Sequence, residues 1–315
     1  MALAPRLEAS DASWQVITPA QAAVRDRVRE RLRDGTYGTE EVGCFCGEPG
    51  GIKIADRDRY GLPVCTLLCM RCGLLRSSPR MTAASTERFY REDYRDLYKA
   101  TAPDAAALFQ NEQIRGWSLT RVLDRLLPHV HTVFELGCGA GGGLLPFAEL
   151  GKSVAGADLG AEYLEEGRRY GLKLVHGSAS ALRAECGRAD LVFMLHVFEH
   201  LLDLREALSE IRQLIAPGGW LFIEVPGLRT IETSYDHDLL LYLQNAHTYH
   251  FTEATMRFVL ETCGFNVHYC DEDVLALAVL GEATSAAAPV PHGEAHAVVQ
   301  YLGRLELEFA RRHAA

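Results

Sequence analysis

Apolar and polar positions follow two periods along this chain, and the places where the period changes mark out its elements. After Thr18-Pro19, residues 20–33 set a few apolar positions among many Arg, Asp and Glu and stop at Asp34-Gly35, the pattern of a solvated surface helix. Residues 51–55 and 62–68 are short β-prone pieces in a stretch dense in glycine and cysteine. From 104 to 127 apolar residues recur at helical spacing (Leu108, Ile114, Leu119, Val122, Leu126), which predicts a helix covering whatever follows. Strand-like runs at 132–136, 152–157, 172–176, 190–195 and 220–225 then alternate with helical runs at 142–150, 161–170 and 204–215. A helix at 253–263 and two closing strands at 265–269 and 274–279 complete the series. Such alternation predicts an α/β fold, a mostly parallel seven-stranded sheet with helices on both faces. An Ala/Pro-rich linker, 283–291, leads to a terminal helix at 295–312. The expected organisation is a helical segment at 1–42, a small lobe at 43–80, a helical linker and cover at 81–130, the sheet domain at 131–282, and the linker with its helix at 283–315.

Composition narrows the function classes. With 315 residues, 48% of them hydrophobic, the chain can bury a full-sized core and carry an accessory lobe. Its 32 Lys+Arg against 42 Asp+Glu leave a net charge of −10, which disfavours a grip on a nucleic-acid backbone and points to a small-molecule partner. No stretch approaches the ~18 apolar residues of a membrane span, and residues 1–20 lack an apolar leader core. A cytoplasmic protein with neither a membrane nor a nucleic-acid partner is expected. Of nine cysteines, five crowd between Cys44 and Cys72, and in that compartment crowding favours a metal over disulfides.

The richest segment is Val133-Phe134-Glu135-Leu136-Gly137-Cys138-Gly139-Ala140-Gly141, a strand running into glycines that open a helix. Gly137, Gly139 and Gly142 also satisfy the G-x-G-x-x-G dinucleotide pattern, so the loop alone is ambiguous. The next strand ends at Asp158, where a carboxylate can accept both hydroxyls of an adenosine ribose or, more plainly, cap a helix. Glu135 tilts the choice: a carboxylate there repels a pyrophosphate but suits a sulfonium cofactor with an ammonium group.

These residues resemble class I S-adenosylmethionine-dependent methyltransferases, a Rossmann-like superfamily, over roughly 133–269. The same resemblance takes in Asp190-Leu191-Val192-Phe193, then His196-Val197-Phe198-Glu199-His200, then Pro217-Gly218-Gly219-Trp220-Leu221-Phe222-Ile223. It implies that Glu135, Gly137, Cys138, Gly139 and Gly141 lie under the methionine part of S-adenosyl-L-methionine. Asp158 and Leu159 would hold the ribose, and Ser178 and Ala179 would border the adenine, although the family often has Asp where Ala179 stands. His196 is either a cofactor-pocket residue or a satisfied structural histidine. Glu199 and His200 read most simply as helix-start residues.

Cys44-x-Cys46 and Cys69-x-x-Cys72 form two knuckle-like pairs whose four thiolates can close a tetrahedral shell around zinc, a structural site with no open position. The lobe would then be zinc-ribbon-like, with Cys65 either a competing ligand or a buried strand residue. Together with Phe89-Tyr90 and Tyr94, this arrangement resembles the N-terminal region of bacterial sugar methyltransferases, in which the zinc lobe folds over the active site. Phe89, Tyr90, Tyr94 and Tyr98 would line a substrate pocket or pack against the catalytic domain.

Beyond the fifth strand, 226–250 is a long connection at the edge where substrate loops gather, and it carries His237, His247 and His250. The segment Ala246-His247-Thr248-Tyr249-His250-Phe251-Thr252 resembles the part of deoxysugar C-methyltransferases that supplies the catalytic base. That resemblance makes His247 the expected general base, with His250 and His196 as further catalytic candidates. The family's glutamate and tyrosine are here Ala246 and Gln244, and only 281–315 follows the last strand where the family has a large sugar domain. The expected activity is methyl transfer to a small molecule, a nucleotide-linked sugar in polysaccharide or natural-product biosynthesis, at carbon or oxygen. The alternatives are a methyltransferase acting on RNA or protein, or a non-catalytic binding protein using the lobe as a partner module.

Overall fold

The computed structural model describes residues 2–98, 104–281 and 288–313. Five strands precede the large sheet: β1 (Thr39–Glu40), β2 (Ile52–Arg57), β3 (Pro63–Leu68), β4 (Leu75–Ser77) and β5 (Arg80–Met81). The large sheet is built from β6 (Thr132–Leu136), β7 (Ser153–Asp158), β8 (Lys173–His176), β9 (Ala189–Leu195) and β10 (Ile215–Glu224), with β12 (Phe265–Cys270) and β13 (Leu275–Leu280). The remaining strand, β11 (Tyr249–His250), belongs to the small sheet.

Seven strands run in the order β12-β13-β10-β9-β6-β7-β8. The pairs among β6 to β10 are parallel, while β13 lies antiparallel to both β10 and β12. The sequence alternation therefore yields the α/β sheet expected of it. Its strands are buried on both faces because neighbouring residues feed different cores: Val133, Leu191 and Phe193 on one side, Phe134, Val192 and Met194 on the other. The first face is covered by Phe109 and Leu119 of the helix Ala105–Val122 and by Leu164 of Ala161–Arg169. The second is covered by Leu208 and Ile211 of Leu204–Leu214, by Val259 of Glu253–Thr262, and by Leu182 of Ala179–Cys186, a helix the periodicity did not announce.

Local chemistry adjusts several bounds. The helix read at 142–150 begins as a 3-10 turn, Gly142–Leu144, and only Leu145–Glu149 is α-helical. The helix read at 104–127 ends at Val122, and a 3-10 turn at Leu127–His129 with Pro128 leads into β6. The linker read at 283–291 lies outside the described residues up to 287.

The first helix, Pro19–Arg33, opens after Thr18 as its sequence suggests, and the Thr18 and Gln21 side chains form a capping box. It is more than a solvated face, because Val24 and Val28 are buried with Tyr37, Phe89 and Leu97. Arg27 and Arg31 reach the fully enclosed Asp93 carboxylate (2.6 and 2.7 Å), which also accepts the Tyr37 hydroxyl. A buried carboxylate requires such partners, and charge density alone conceals them.

The small sheet has the order β11-β4-β3-β2, all antiparallel, with Tyr249 opposite Arg76 and His250 opposite Leu75. The connection after β10 thus donates a strand to the cysteine-bearing segment. The terminal helix Glu294–Arg312 packs Val298, Leu302 and Leu305 against Ile54, Leu68 and Leu75 of the same sheet. Arg6 bridges it, at 2.7 Å to both Glu306 and Asp238.

Candidate functional site

Strand order reverses between β6 and β9: from β6 the chain moves outward to β7 and β8, then returns to β9 and β10 on the other side. In open α/β sheets the crevice beyond the carboxyl ends at such a switch point is where ligands bind. The glycine loop leaves β6 at this crevice, and His196 leaves β9 beside it.

Gly139 shows why the loop needs glycine. Its φ is +55°, its N–H donates to Asp158 Oδ2 at 2.9 Å, and a Cβ would run into the Glu112 carboxylate. Asp158 Oδ1 accepts a second backbone bond from Gly160 N at 2.6 Å, so one carboxylate ties the glycine loop to the turn after β7. Leu159, next to it, is 75% exposed at the open edge of the crevice. Ser178 Oγ meets Ser180 Oγ at 2.8 Å, and Ala179 is buried at the start of its helix.

Sequence reasoning missed Glu112. From the helix Ala105–Val122 it accepts from Ala140 N (3.1 Å) and Gly142 N (3.1 Å), the donors that open the 3-10 turn. Nothing local marks it, because it is the fold that brings the helix to the loop. Glu135 is buried at 4% exposure and its Oε2 has no hydrogen-bond partner among the described residues. Burial pushes its carboxyl well above the usual range, and Glu112 and Asp158 push it further. Burial also raises the Cys138 thiol, with Glu135 adding to the effect. Three carboxylates converging on one glycine loop suit a cationic ligand, which would give the Glu135 oxygen the partner it lacks. A pyrophosphate would meet repulsion there.

His196 holds a left-handed backbone, φ +55°, and its N–H donates to the Glu224 carbonyl at 2.8 Å. Its Nε2 lies 3.2 Å from Glu224 Oε1 and its Nδ1 3.8 Å from Glu199 Oε1. Burial would lower its pKa, but Glu199 and Glu224 outweigh that and raise it to about 9. At neutral pH the ring is an imidazolium, which can orient or donate but cannot accept a proton.

A second cluster lies at the other side of Glu199. This carboxylate is 2% exposed and neither of its oxygens has a hydrogen-bond partner among the described residues. Its Oε1 is 3.6 Å from His200 Nε2 and 3.8 Å from His247 Nε2. The helix-start reading of Glu199 does not hold, since the 3-10 turn Phe198–His200 has no side-chain cap and Asp203 caps the helix Leu204–Leu214. His200 Nδ1 is 2.8 Å from the Ala246 carbonyl and 2.9 Å from the Tyr90 hydroxyl. The His247 ring stands edge-on to His200 at 4.8 Å, with the Gln244 amide nitrogen against its ring nitrogens. Burial, then His200 and His250, hold the pKa of His247 well below the usual range, so the ring is neutral. Burial also pushes His250 down to about 3; its ring packs 5.0 Å from Tyr242 and its Nδ1 has no partner among the described residues. His237 instead faces Glu308 of the terminal helix at 2.9 Å.

Aromatic rings close this side. Tyr94 packs against Tyr90 (4.5 Å) and Tyr98 (4.9 Å), while Phe89 is buried in the core behind them. Tyr98 Oη accepts the Ala246 N–H at 3.2 Å, which fixes the backbone just before His247. A small cavity lined by Arg80, Tyr90, His200, Asn245, Ala246 and Thr248 adjoins the cluster.

Cys44, Cys46, Cys69 and Cys72 form one group of mutually close sulfurs, with Cys44–Cys72 and Cys46–Cys69 Sγ pairs at 3.5 Å. A Zn–S bond of about 2.3 Å puts tetrahedral sulfurs about 3.8 Å apart, so this donor set fits zinc with little adjustment. All four are free thiols, and Cys65 sits outside the group on β3. The knuckles dock on the large domain: the Phe45 ring meets Phe258 edge-on at 5.7 Å and Arg205 lies 4.1 Å above it.

The chain is similar in sequence to proteins named as methyltransferases. A Mycolicibacterium smegmatis protein named "Probable S-adenosylmethionine-dependent methyltransferase" is 31% identical over 46% of this chain and 54% of its own length. A Chelativorans "Ubiquinone biosynthesis O-methyltransferase" is 34% identical over 29% of this chain and 38% of its own. The Streptomyces niveus "C-methyltransferase NovU" is 23% identical over 69% of this chain and 51% of its own. The chain therefore spans about half, or less, of the length of these relatives. The profile described as "Methyltransferase domain" matches residues 90–269, more than half of the 315, and takes in the glycine loop, Asp158 and the whole Glu199–His247 cluster. This chain belongs to the methyltransferase domain family.

Proposed function

We propose that the protein transfers a methyl group from S-adenosyl-L-methionine to a small-molecule acceptor, a saccharide carried on a nucleotide. The observation that carries the cofactor reading is Glu135, a buried carboxylate with an unmatched oxygen beside a glycine loop pinned by Asp158. The cofactor supplies an electrophilic methyl on a sulfonium. The chain's own work is to bind, orient and exclude water. Glu135, Gly137, Cys138, Gly139 and Gly141 bed the methionine part, Asp158 and Leu159 take the ribose, and Ser178 and Ala179 flank the base. His196, held as a cation by Glu224, borders the cofactor from the β9 side.

In-line displacement depends on alignment of two reactants, and a fixed second site supplies it. Activation of the acceptor is assigned to His247, a neutral and buried ring beside Glu199. Tyr90, Tyr94, His200 and Asn245 provide ring faces and hydrogen-bond partners of the kind a sugar needs, which supports the saccharide reading, as does the family resemblance of the Ala246-to-Thr252 segment. Zinc in the four-thiolate site would be structural, because four sulfurs leave no position for water or substrate. It would hold the knuckles against Phe258 and Arg205, so that the small sheet can present β11 and the histidines before it.

The test is His247→Ala. Turnover is expected to fall ~10²- to 10⁴-fold while cofactor binding stays intact. Unchanged turnover removes His247 from the mechanism.

A further inference from the structure

We propose that Glu199, His200 and His247 form a binding site for a divalent first-row metal ion, separate from the four-cysteine site, with coordination positions left open for the acceptor's oxygens. Its chemical consequence rests on the methyl-transfer reading; the binding site itself does not.

Two imidazoles and one enclosed carboxylate face one another here. The Ala246 carbonyl, 2.8 Å from His200 Nδ1, can only accept, so Nδ1 carries the proton. The other ring nitrogen, Nε2, faces Glu199 Oε1 at 3.6 Å. Glu199 is 2% exposed and neither of its oxygens has a hydrogen-bond partner among the described residues; the His196 imidazolium, 3.8 Å away, offsets its charge only in part.

The spacing suits an ion better than a proton. Glu199 Oε1 stands 3.6 Å from His200 Nε2 and 3.8 Å from His247 Nε2, too far for hydrogen bonds. The three donor atoms all lie within 4.8 Å of one another. Metal–nitrogen and metal–oxygen bonds of about 2.0–2.2 Å in a tetrahedral arrangement place donors about 3.3–3.6 Å apart. A small contraction of the cluster meets that. The His200 Nδ1–carbonyl bond is also the outer contact that orients metal-bound histidines and fixes their tautomer. The Gln244 amide, which lies against the His247 ring, is the group an ion would displace, and its carbonyl oxygen keeps its 2.8 Å bond from Arg59.

Two imidazoles and one carboxylate suit zinc, iron(II), cobalt or manganese and leave positions free, whereas four thiolates close a structural zinc site. An ion here would bind an acceptor hydroxyl and ease loss of its proton to water. The oxygen lone pair then forms the O–CH3 bond while the S–CH3 bonding pair stays on sulfur. His247 would activate the acceptor as a ligand to the ion, and the acceptor atom would be oxygen.

Manganese(II) is a suitable probe, because it ranks lowest in affinity order and does not displace zinc from thiolates. Full-length protein is titrated with Mn²⁺, and the paramagnetic resonance signal of the free ion is followed. One Mn²⁺ per chain is expected beyond the cysteine-bound zinc, weakened more than ~10²-fold by Glu199→Gln, beyond the loss caused by an outer-contact change. His200→Gln is the second variant; thermal unfolding of each sample reports that the fold is intact, and S-adenosylhomocysteine binding is measured alongside. No Mn²⁺ uptake by the wild-type protein, or uptake unchanged in both folded variants, overturns the site. Uptake without S-adenosylhomocysteine binding upholds the site and sinks the methyl-transfer reading; S-adenosylhomocysteine binding without uptake does the reverse.

Discussion

Asp158→Asn isolates the role assigned to the end of β7. The wild-type carboxylate accepts from Gly139 N at 2.9 Å and from Gly160 N at 2.6 Å. It therefore shapes the pocket, and it has the two oxygens needed for a ribose diol. Asparagine is nearly isosteric but has one acceptor oxygen, so its amide nitrogen, which can only donate, faces either the Gly139 or the Gly160 N–H. One charge-assisted bond is lost and a donor is left facing a donor, a cost of about 1.5–3 kcal/mol. At 1.4 kcal/mol per tenfold, that weakens binding by ~10- to 10²-fold. The assay is calorimetric titration with S-adenosylhomocysteine, which lacks the sulfonium charge and so reports the ribose contact with less contribution from the loop's electrostatics. Thermal unfolding of both proteins shows that the variant is folded. An affinity equal to wild type would refute the reasoning, because it would mean that neither a ribose contact nor the backbone ties of Asp158 shape the cofactor pocket.

Further outcomes follow from other parts of the structure. Stripping zinc with a strong chelator, or Cys72→Ser, should expose the 43–80 lobe to limited proteolysis while S-adenosylhomocysteine binding at the β6–β9 crevice persists; a lobe equally resistant without metal contradicts a structural zinc. His196 is raised to about 9 by Glu199 and Glu224 against burial, so the folded state holds its proton more tightly than the unfolded chain does. Its contribution is complete below about pH 6.5 and fades as pH rises through 9. With a third of the side chain exposed, solvent screening reduces this to about 1–2 kcal/mol. Urea midpoints at pH 6.5 and 9.5, measured with no divalent ion at Glu199, should show that loss, and Glu224→Gln should flatten it; an unchanged slope in the variant dismisses the pair. Gly139→Ala should weaken cofactor binding, since it combines a left-handed backbone with a clash against Glu112; calorimetry showing wild-type affinity would free the loop of that role.

What could be read from the sequence was what is local. Strand, glycines and Asp158 lie within 26 residues and share one crossover, so their spacing carries their geometry. The alternation of β6 to β10 is likewise legible, because strands buried on both faces are continuously apolar. Elements held by distant partners were not legible. β4 and β11 are three and two residues long; β4 lies between β3 and β11, and β11 is a strand only because Tyr249 and His250 pair with Arg76 and Leu75. The helix Ala179–Cys186 is short, with only Ala179 and Leu182 buried, too few to set a period.

The candidate site divides in the same way. Glu112 reaches the glycine loop across the fold, and Glu199, His200 and His247 meet only when the connection after β10 returns to the sheet edge. In the sequence, Glu199-His200 has the appearance of a helix start. The signal that could have separated the two readings is Asp203, a better cap three residues on, which leaves Glu199 without a backbone duty.

Purified protein is incubated with isotopically labelled S-adenosylmethionine and a panel of nucleotide sugars, and products are read by mass spectrometry. The expected result is one labelled methyl on a nucleotide sugar and one S-adenosylhomocysteine per transfer. Absence of any S-adenosylmethionine or S-adenosylhomocysteine binding by the folded protein would contradict the account at its root.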